Sequence, residues 1–208
     1  MILTDEQKEF LEQAYDMMKD YCVALVLGGS ASAPYIRNPH DIDIIIVCNS
    51  FEDKLKLIRE YLSSKSSALI KEAKEKYNIS FVIQFKDQYE KQNKCSEDID
   101  RLPVWLYLDN INLFGSYIVG NLGFIPQVNI LDYKEKYYES LLDYYKYIQK
   151  RYSETGKLPK WYSLLIGLYI LQNNSYELTE EQLDNVNIVH DDSNCERAIQ
   201  LFNELKMN

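Results

Sequence analysis

The stretch Leu27-Gly28-Gly29-Ser30, a ten-residue connection, and then Asp41-Ile42-Asp43-Ile44 decides how this chain is read. Cys22 to Leu27 is a short, continuous apolar run that ends on two glycines, which reads as a strand buried on both faces. Asp41 to Cys48 is a second strand and the most apolar one in the chain. In a strand, residues two apart share a face. Asp41 and Asp43 therefore present two carboxylates side by side, while Ile42, Ile44 and Ile46 point the other way into a core. Ile45 and Val47 continue the aspartate face as apolar residues, so the two acids mark the end of a buried strand, where a cleft can open. Carboxylates beside a buried sheet cost free energy unless something compensates them. Two hard oxygen ligands on one face suit Mg²⁺, which takes one or two carboxylates and completes its shell with phosphate oxygens and water.

The Gly28-Gly29-Ser30 turn supplies the other half of such a site. Glycine lets the backbone come close to a ligand. The Ser30 hydroxyl and neighbouring backbone N–H groups can hold a phosphate, the more so if a helix begins there. A triphosphate aligned in this way against a metal supports attack of a substrate hydroxyl on the α-phosphate, with pyrophosphate leaving.

Outward from this stretch, Thr4-Asp5-Glu6-Gln7 reads as a capping box that opens a first helix from about Asp5 to Tyr21. Phe10, Leu11, Ala14, Met17 and Met18 recur at helical spacing within it. Ser50 to Ser63 and Ser67 to Lys76 read as helices, the first capped by Ser50. Ile79 to Phe85 is a third strand, and Trp105 to Leu113 reads as a hairpin or a strand and turn. From Asp132 onward the pattern turns helical: Lys134 to Tyr152, a loop at Ser153 to Pro159, and an apolar helix from Trp161 to Leu171. A second capping box follows at Thr179 to Gln182, and a last helix runs from Cys195 to Met207. The expected fold class is α/β (α+β). A mixed sheet flanked by helices occupies residues 1–125, and a helical bundle occupies residues 126–208.

The composition is that of a folded globular protein, 46% hydrophobic and 26% charged over 208 residues. The net charge of −9 disfavours extended contact with nucleic acid, which relies on Lys and Arg to neutralise phosphates. It suits a cationic substrate. Cys22, Cys48, Cys95 and Cys195 show no CxxC spacing and read as free thiols of a reducing compartment. Thr4 to Asp20 is amphipathic and charged, unlike a secretory leader, and no apolar run reaches the roughly 20 residues that span a bilayer. The expected location is the cytoplasm. Many of the 18 tyrosines lie in the last third, and Tyr133 to Tyr152 reads as a helix packing face.

The order and spacing of Leu27-Gly28-Gly29-Ser30 and Asp41-Ile42-Asp43-Ile44 resemble the signature of the DNA polymerase β-like nucleotidyltransferase superfamily. Pro159-Lys160-Trp161-Tyr162 leading into an apolar helix, then Leu178 to Gln182, looks like the C-terminal bundle of small-molecule nucleotidyltransferases that modify aminoglycosides and of related minimal forms. The resemblance implies Mg²⁺ held by Asp41 and Asp43, which are also the catalytic acids. It implies a nucleoside triphosphate, ATP first among them, held by Gly28, Gly29 and Ser30, and a helical part that closes the cleft. Arg37 in the connection and Lys160 in the helical part are further nucleotide-binding candidates, with a surface charge as the other reading of each.

The resemblance also implies a third carboxylate on a nearby strand. Ile79 to Phe85 carries Ser80, Val82 and Gln84 on one face and no acid there, which leaves Asp87 and Asp109 as candidates. His40 and His190-Asp191-Asp192 read as loop residues. Three functions stay open. One is transfer of a nucleoside monophosphate to a small-molecule hydroxyl, of the aminoglycoside kind. Another is transfer to a protein or tRNA, as in toxin–antitoxin nucleotidyltransferases. The last is a catalytically degenerate member that binds a partner.

Overall fold

The computed structural model describes residues 3–39, 41–62, 68–86, 117–122, 130–156, 161–188 and 193–206. They fall into two compact units, and the segment Tyr35–Arg37 groups with the second although it lies inside the connection between Ser30 and Asp41. The mixed sheet with flanking helices and the helical C-terminal part read from the sequence are both present. The Trp105 to Leu113 hairpin lies outside the described residues.

In the first unit, helix α1 (Asp5–Met18) leads into strand β1 (Cys22–Gly28), a four-residue helical turn α2 (Gly29–Ser32) and strand β2 (Ile42–Cys48). Helix α3 (Phe51–Leu57) continues into a wider π turn over Ile58–Leu62, and α4 (Ala68–Tyr77), β3 (Ile79–Phe85) and β4 (Ile118–Gly120) follow. The strand order is β3-β2-β1-β4, with β1 antiparallel to both β2 and β4 and β2 parallel to β3. The two inner strands are buried on both faces, which is why each is apolar along its length but for Asp43 near the start of β2.

Leu25, Leu27, Ile42, Ile44 and Ile46 pack on one face with Phe10, Leu11, Ala14 and Met18 of α1, Leu57 of α3, and Leu69 and Ala73 of α4. Ala24, Val26, Ile45 and Val47 pack on the other with Leu122. Full burial of each such Leu or Ile stabilises the fold by about 1.5–3 kcal/mol relative to leaving it exposed. The alternation read from Ile42, Ile44 and Ile46 is the observed one.

Cys22 and Cys48 are cross-strand partners in this core, and both are free, buried thiols. Burial pushes Cys22 up to about 12, with Cys48 beside it adding to the rise. Burial likewise pushes Cys48 up to about 11, with Asp53 adding to the rise and Lys54 opposing it.

In the second unit a 3-10 turn at Ile130–Tyr133 opens α5 (Lys134–Thr155), followed by α6 (Tyr162–Asn173), α7 (Glu180–Asn187) and α8 (Ser193–Lys206). Every residue of α6 from Ser163 to Leu171 is buried, so this helix forms the core of the unit. Gly167 lets α5 approach: a Cβ there would meet Leu141 and the Tyr137 hydroxyl at 2.9 Å. Three tyrosines of α5 are packing residues, as expected: Tyr137 is fully buried, Tyr145 packs on Trp161 and Phe202, and Tyr138 packs edge-on against Phe202, whereas Tyr147 and Tyr152 are exposed. No helix among the described residues is long and apolar enough to cross a membrane.

Several boundaries differ from the periodicity reading. Helix α1 ends at Met18 instead of Tyr21, because the Tyr21 amide bonds back to Met18 O at 2.9 Å and turns the chain into β1. Helix α5 runs past Tyr152 to Thr155, where Gly156 adopts a left-handed C-cap with φ 66°. The hydroxyls of Ser153 and Thr155, read as loop residues, bond to the carbonyls of Lys150 and Arg151 and sustain the last turn. Strand β4 spans only three residues, too short to leave an alternation in the sequence.

Candidate functional site

The ends of β1 and β2 bring the glycine turn and one acid of the pair together. Gly28 is the last residue of β1 and the cross-strand partner of Asp43. Gly29 follows with φ 60°, a left-handed conformation that L side chains rarely adopt. A Cβ at position 29 would overlap Asp43 Oδ2 and stand 3.2 Å from both Cβ and Cγ of Asp43. The Asp43 carboxyl group therefore lies against bare backbone, in a cradle that any side chain at 29 would fill. Ser30 is buried in the first turn of α2, and Ser32 Oγ donates to Gly29 O at 2.8 Å. With four residues, α2 supplies backbone N–H groups at the turn and no extended helix dipole.

Asp41 stands one residue ahead of β2, and both Asp41 and Asp43 are half-buried. On the far side of β2, the partner of Asp43 in the parallel ladder is Ser80, followed by Val82 beside Ile45 and Gln84 beside Val47. Ser80 is exposed. The position next to Asp43 on β3 thus carries a neutral hydroxyl, as the sequence indicates. Among the described residues there is no group of three or more His, Cys, Asp or Glu that could hold a metal ion. Two carboxylates still meet the protein's share of a Mg²⁺ shell whose other ligands are phosphate and water.

Arg37 groups with the helical unit. Its guanidinium donates from Nη1 to Asp184 Oδ1 at 2.7 Å and from Nη2 to Glu180 Oε2 at 3.1 Å, both on α7. Its backbone N–H donates to Asn187 Oδ1 at 2.8 Å. Asn187 Nδ2 donates in turn to Tyr35 O at 2.9 Å and to Leu183 O at 2.8 Å. Tyr35, 6% exposed, donates its hydroxyl to Tyr176 O at 2.6 Å. Burial pushes the Tyr35 phenol up to about 12, with Tyr176 adding to the rise.

Sequence reading did not single out Tyr35, Tyr176 or Asn187. A side-chain amide that grips backbone 150 residues away leaves no periodic or local mark. Lys160, His40, Asp87, Asp109 and His190-Asp191-Asp192 lie outside the described residues. No protein-family model, no curated protein and no solved structure matches this chain.

Proposed function

We propose that the Gly28-Gly29-Ser30 turn and the Asp41/Asp43 pair bind a Mg²⁺–nucleoside triphosphate, ATP first among them. The chain would then transfer the nucleoside monophosphate to a hydroxyl of a small molecule. The observation that carries this reading is the Asp43 carboxyl group packed against the Gly29 backbone, with Gly28 as its cross-strand partner. That arrangement sets an acid directly against the glycine turn. Asp41 and Asp43 hold the cation, and the Ser30 hydroxyl and the turn N–H groups hold phosphate oxygens. Bound Mg²⁺ neutralises charge on the triphosphate and on the leaving pyrophosphate. Arg37 is left out of the phosphate contacts because Asp184 and Glu180 hold its guanidinium. The acidic balance of −9 favours a cationic acceptor, of which an aminoglycoside is one kind. A reducing, cytoplasmic location fits the buried free thiols Cys22 and Cys48.

Pyrophosphate release from ATP and Mg²⁺ over a panel of hydroxyl acceptors tests this proposal. Release is expected with at least one cationic acceptor, and Asp41→Asn and Asp43→Asn are each expected to abolish it together with Mg²⁺–ATP binding. Unchanged turnover in Asp41→Asn overturns the assignment of that residue.

Ser80 beside Asp43 favours a second reading, a nucleotide-binding module of the same fold that acts through a partner without transfer. Calorimetric binding of Mg²⁺–ATP with no pyrophosphate release on any acceptor, protein and tRNA included, selects it.

A further inference from the structure

The helical unit carries a polar cleft of its own. Side chains of α6, α7 and α8 line it, and it encloses about 210 Å³. Helical spacing builds it. Arg197, Gln200 and Glu204 stand at i, i+3 and i+7 of α8 and so share one face of that helix. Tyr169 and Gln172, three residues apart on α6, line the same cleft. Helix α7 adds Glu181 and Asn185. At about 30 Å³ for each water of the liquid, the volume equals about seven waters, room for a small metabolite and not for a nucleotide.

The fold satisfies some of these polar groups and leaves others open. Gln172 Nε2 and Gln200 Nε2 donate to the two oxygens of Glu204, each at 2.8 Å, which fixes the carboxylate between α6 and α8. Asn185 Nδ2 donates to the Tyr169 hydroxyl at 3.3 Å, and the two residues are only 8% and 3% exposed. That bond leaves the Tyr169 O–H and Asn185 Oδ1 without a partner among the described residues. Buried polar groups are seldom left so unless solvent or a ligand serves them. Arg197 is half-buried, and among the described residues its guanidinium makes no hydrogen bond or ion pair.

Charge decides what the cleft takes. The lining sets one guanidinium, Arg197, against two carboxylates, Glu181 and Glu204. A plain anion meets Arg197 and is repelled by both acids. A plain cation meets the acids and leaves Arg197 facing like charge. Seven residues, about 10 Å of helix rise, separate Arg197 from Glu204, so a ligand that meets both is elongated. From this lining we infer that the cleft binds a free diamino acid of the lysine type. Its carboxylate lies on the Arg197 guanidinium, whose planar fork matches a carboxylate. Its two ammonium groups lie toward Glu204 and Glu181. The Tyr169 O–H and Asn185 Oδ1 supply a further donor and acceptor. One positive and two negative side chains thus meet one negative and two positive ligand groups.

Calorimetry on the full chain, without nucleotide or Mg²⁺, tests this with L-lysine as the probe and three analogues that each lack one charge. Cadaverine lacks the carboxylate, 6-aminohexanoate the α-ammonium and norleucine the ε-ammonium. L-lysine is expected to bind saturably, and each analogue more weakly. The loss for cadaverine should be about five- to tenfold, because the Arg197 site is half-buried. In Arg197→Gln, L-lysine should fall to the affinity of cadaverine, while cadaverine itself binds no worse than to the wild type. Glu181→Gln, at an exposed position, should weaken L-lysine by about two- to fivefold and leave norleucine or 6-aminohexanoate unaffected.

Absence of L-lysine binding to the folded wild type overturns the proposal. Cadaverine binding as tightly as L-lysine overturns it too, because Arg197 then meets no carboxylate. Norleucine binding as tightly as L-lysine removes the second ammonium group from the cleft and with it the diamino ligand. The comparison among analogues uses the wild type alone, so it decides the matter even if Arg197→Gln does not fold. Undiminished L-lysine binding in folded Arg197→Gln places the ligand outside this cleft.

Discussion

The Asp43 carboxyl group occupies the space that a side chain at Gly29 would need. This relationship joins the two halves of the stretch across a connection of ten residues, and it is set by the β1–β2 ladder that pairs Gly28 with Asp43. Two penalties act on Gly29→Ala. The φ of 60° costs about 1–2 kcal/mol for a residue with a Cβ. The new methyl group also drives the Asp43 carboxyl group out of place. Gly29→Ala is expected to lower unfolding free energy by about 1–3 kcal/mol in urea titrations and to lower Mg²⁺–ATP affinity at least tenfold. Adding Asp43→Ala relieves the overlap and leaves the backbone strain, so the double variant should be more stable than the sum of the two single losses predicts. Additive losses would show that the two residues do not meet.

A second glycine tests the helical unit. Gly167→Ala gains about 1 kcal/mol of helix propensity in α6. Against this, the added Cβ would meet Leu141 Cδ2 at 2.7 Å and the Tyr137 hydroxyl at 2.9 Å, and both side chains are fully buried. Overpacking of this kind costs about 1–3 kcal/mol. The overlap should win, with a net loss of about 1–2 kcal/mol in chemical denaturation. A Gly167→Ala variant more stable than the wild type would mean that α5 does not sit this close to α6.

How far the sequence could be read follows from the reach of each signal. The β1 and β2 strands announce themselves because burial on both faces makes their seven-residue runs apolar but for Asp43, and the capping boxes at Thr4 and Thr179 appear as written. The pairing of Gly28 with Asp43 was implicit in the order of the two motifs, though the close packing at Gly29 is a matter of φ that no spacing encodes. Arg37 illustrates the limit. In the sequence it is a cation in the loop of a phosphate-like motif, and only tertiary structure shows Asp184 and Glu180 around it. The Asn187 grip was invisible for the same reason: it reads backbone atoms at Tyr35 and Arg37, which every residue type carries.

Alkaline pH should loosen both units. Cys22 and Cys48 in the sheet core, and Tyr35 in the helical unit, have protons that burial holds more tightly in the folded state than in the unfolded one. Above their ordinary values of 9.0 for cysteine and 10.0 for tyrosine, the unfolded chain binds fewer protons than the native one. Stability must then fall as pH rises. The thiol contribution is fully present below pH 9 and is lost as pH climbs through about 11 for Cys48 and about 12 for Cys22. Each group adds a slope of at most about 1.4 kcal/mol per pH unit within its window. Denaturant midpoints measured from pH 8 to 10.5 should decline, and Cys48→Val, close in volume and without a titrating proton, should flatten the decline. A midpoint independent of pH in the wild type would place both thiols in water.

Ser80 offers the sharpest probe of what the acid pair is for. It is the ladder partner of Asp43 across β2 and β3, on the same face of the sheet and exposed. Ser80→Asp sets a third carboxylate beside Asp43. Without metal, like charges at adjacent ladder positions repel, and the variant is expected to lose about 0.5–1 kcal/mol of stability. With millimolar Mg²⁺, a cation site with three acids gains affinity, and binding to the native state alone adds stability as RT ln(1 + [L]/Kd). The rise in melting temperature on adding Mg²⁺ should therefore be larger in Ser80→Asp than in the wild type, and Asp43→Asn in the same background should remove the difference. If Mg²⁺ moves neither melting temperature, the acid pair holds no Mg²⁺ and is a polar strand end. If the difference appears and pyrophosphate release rises with it, the neutral hydroxyl at position 80 is what limits transfer in the natural chain.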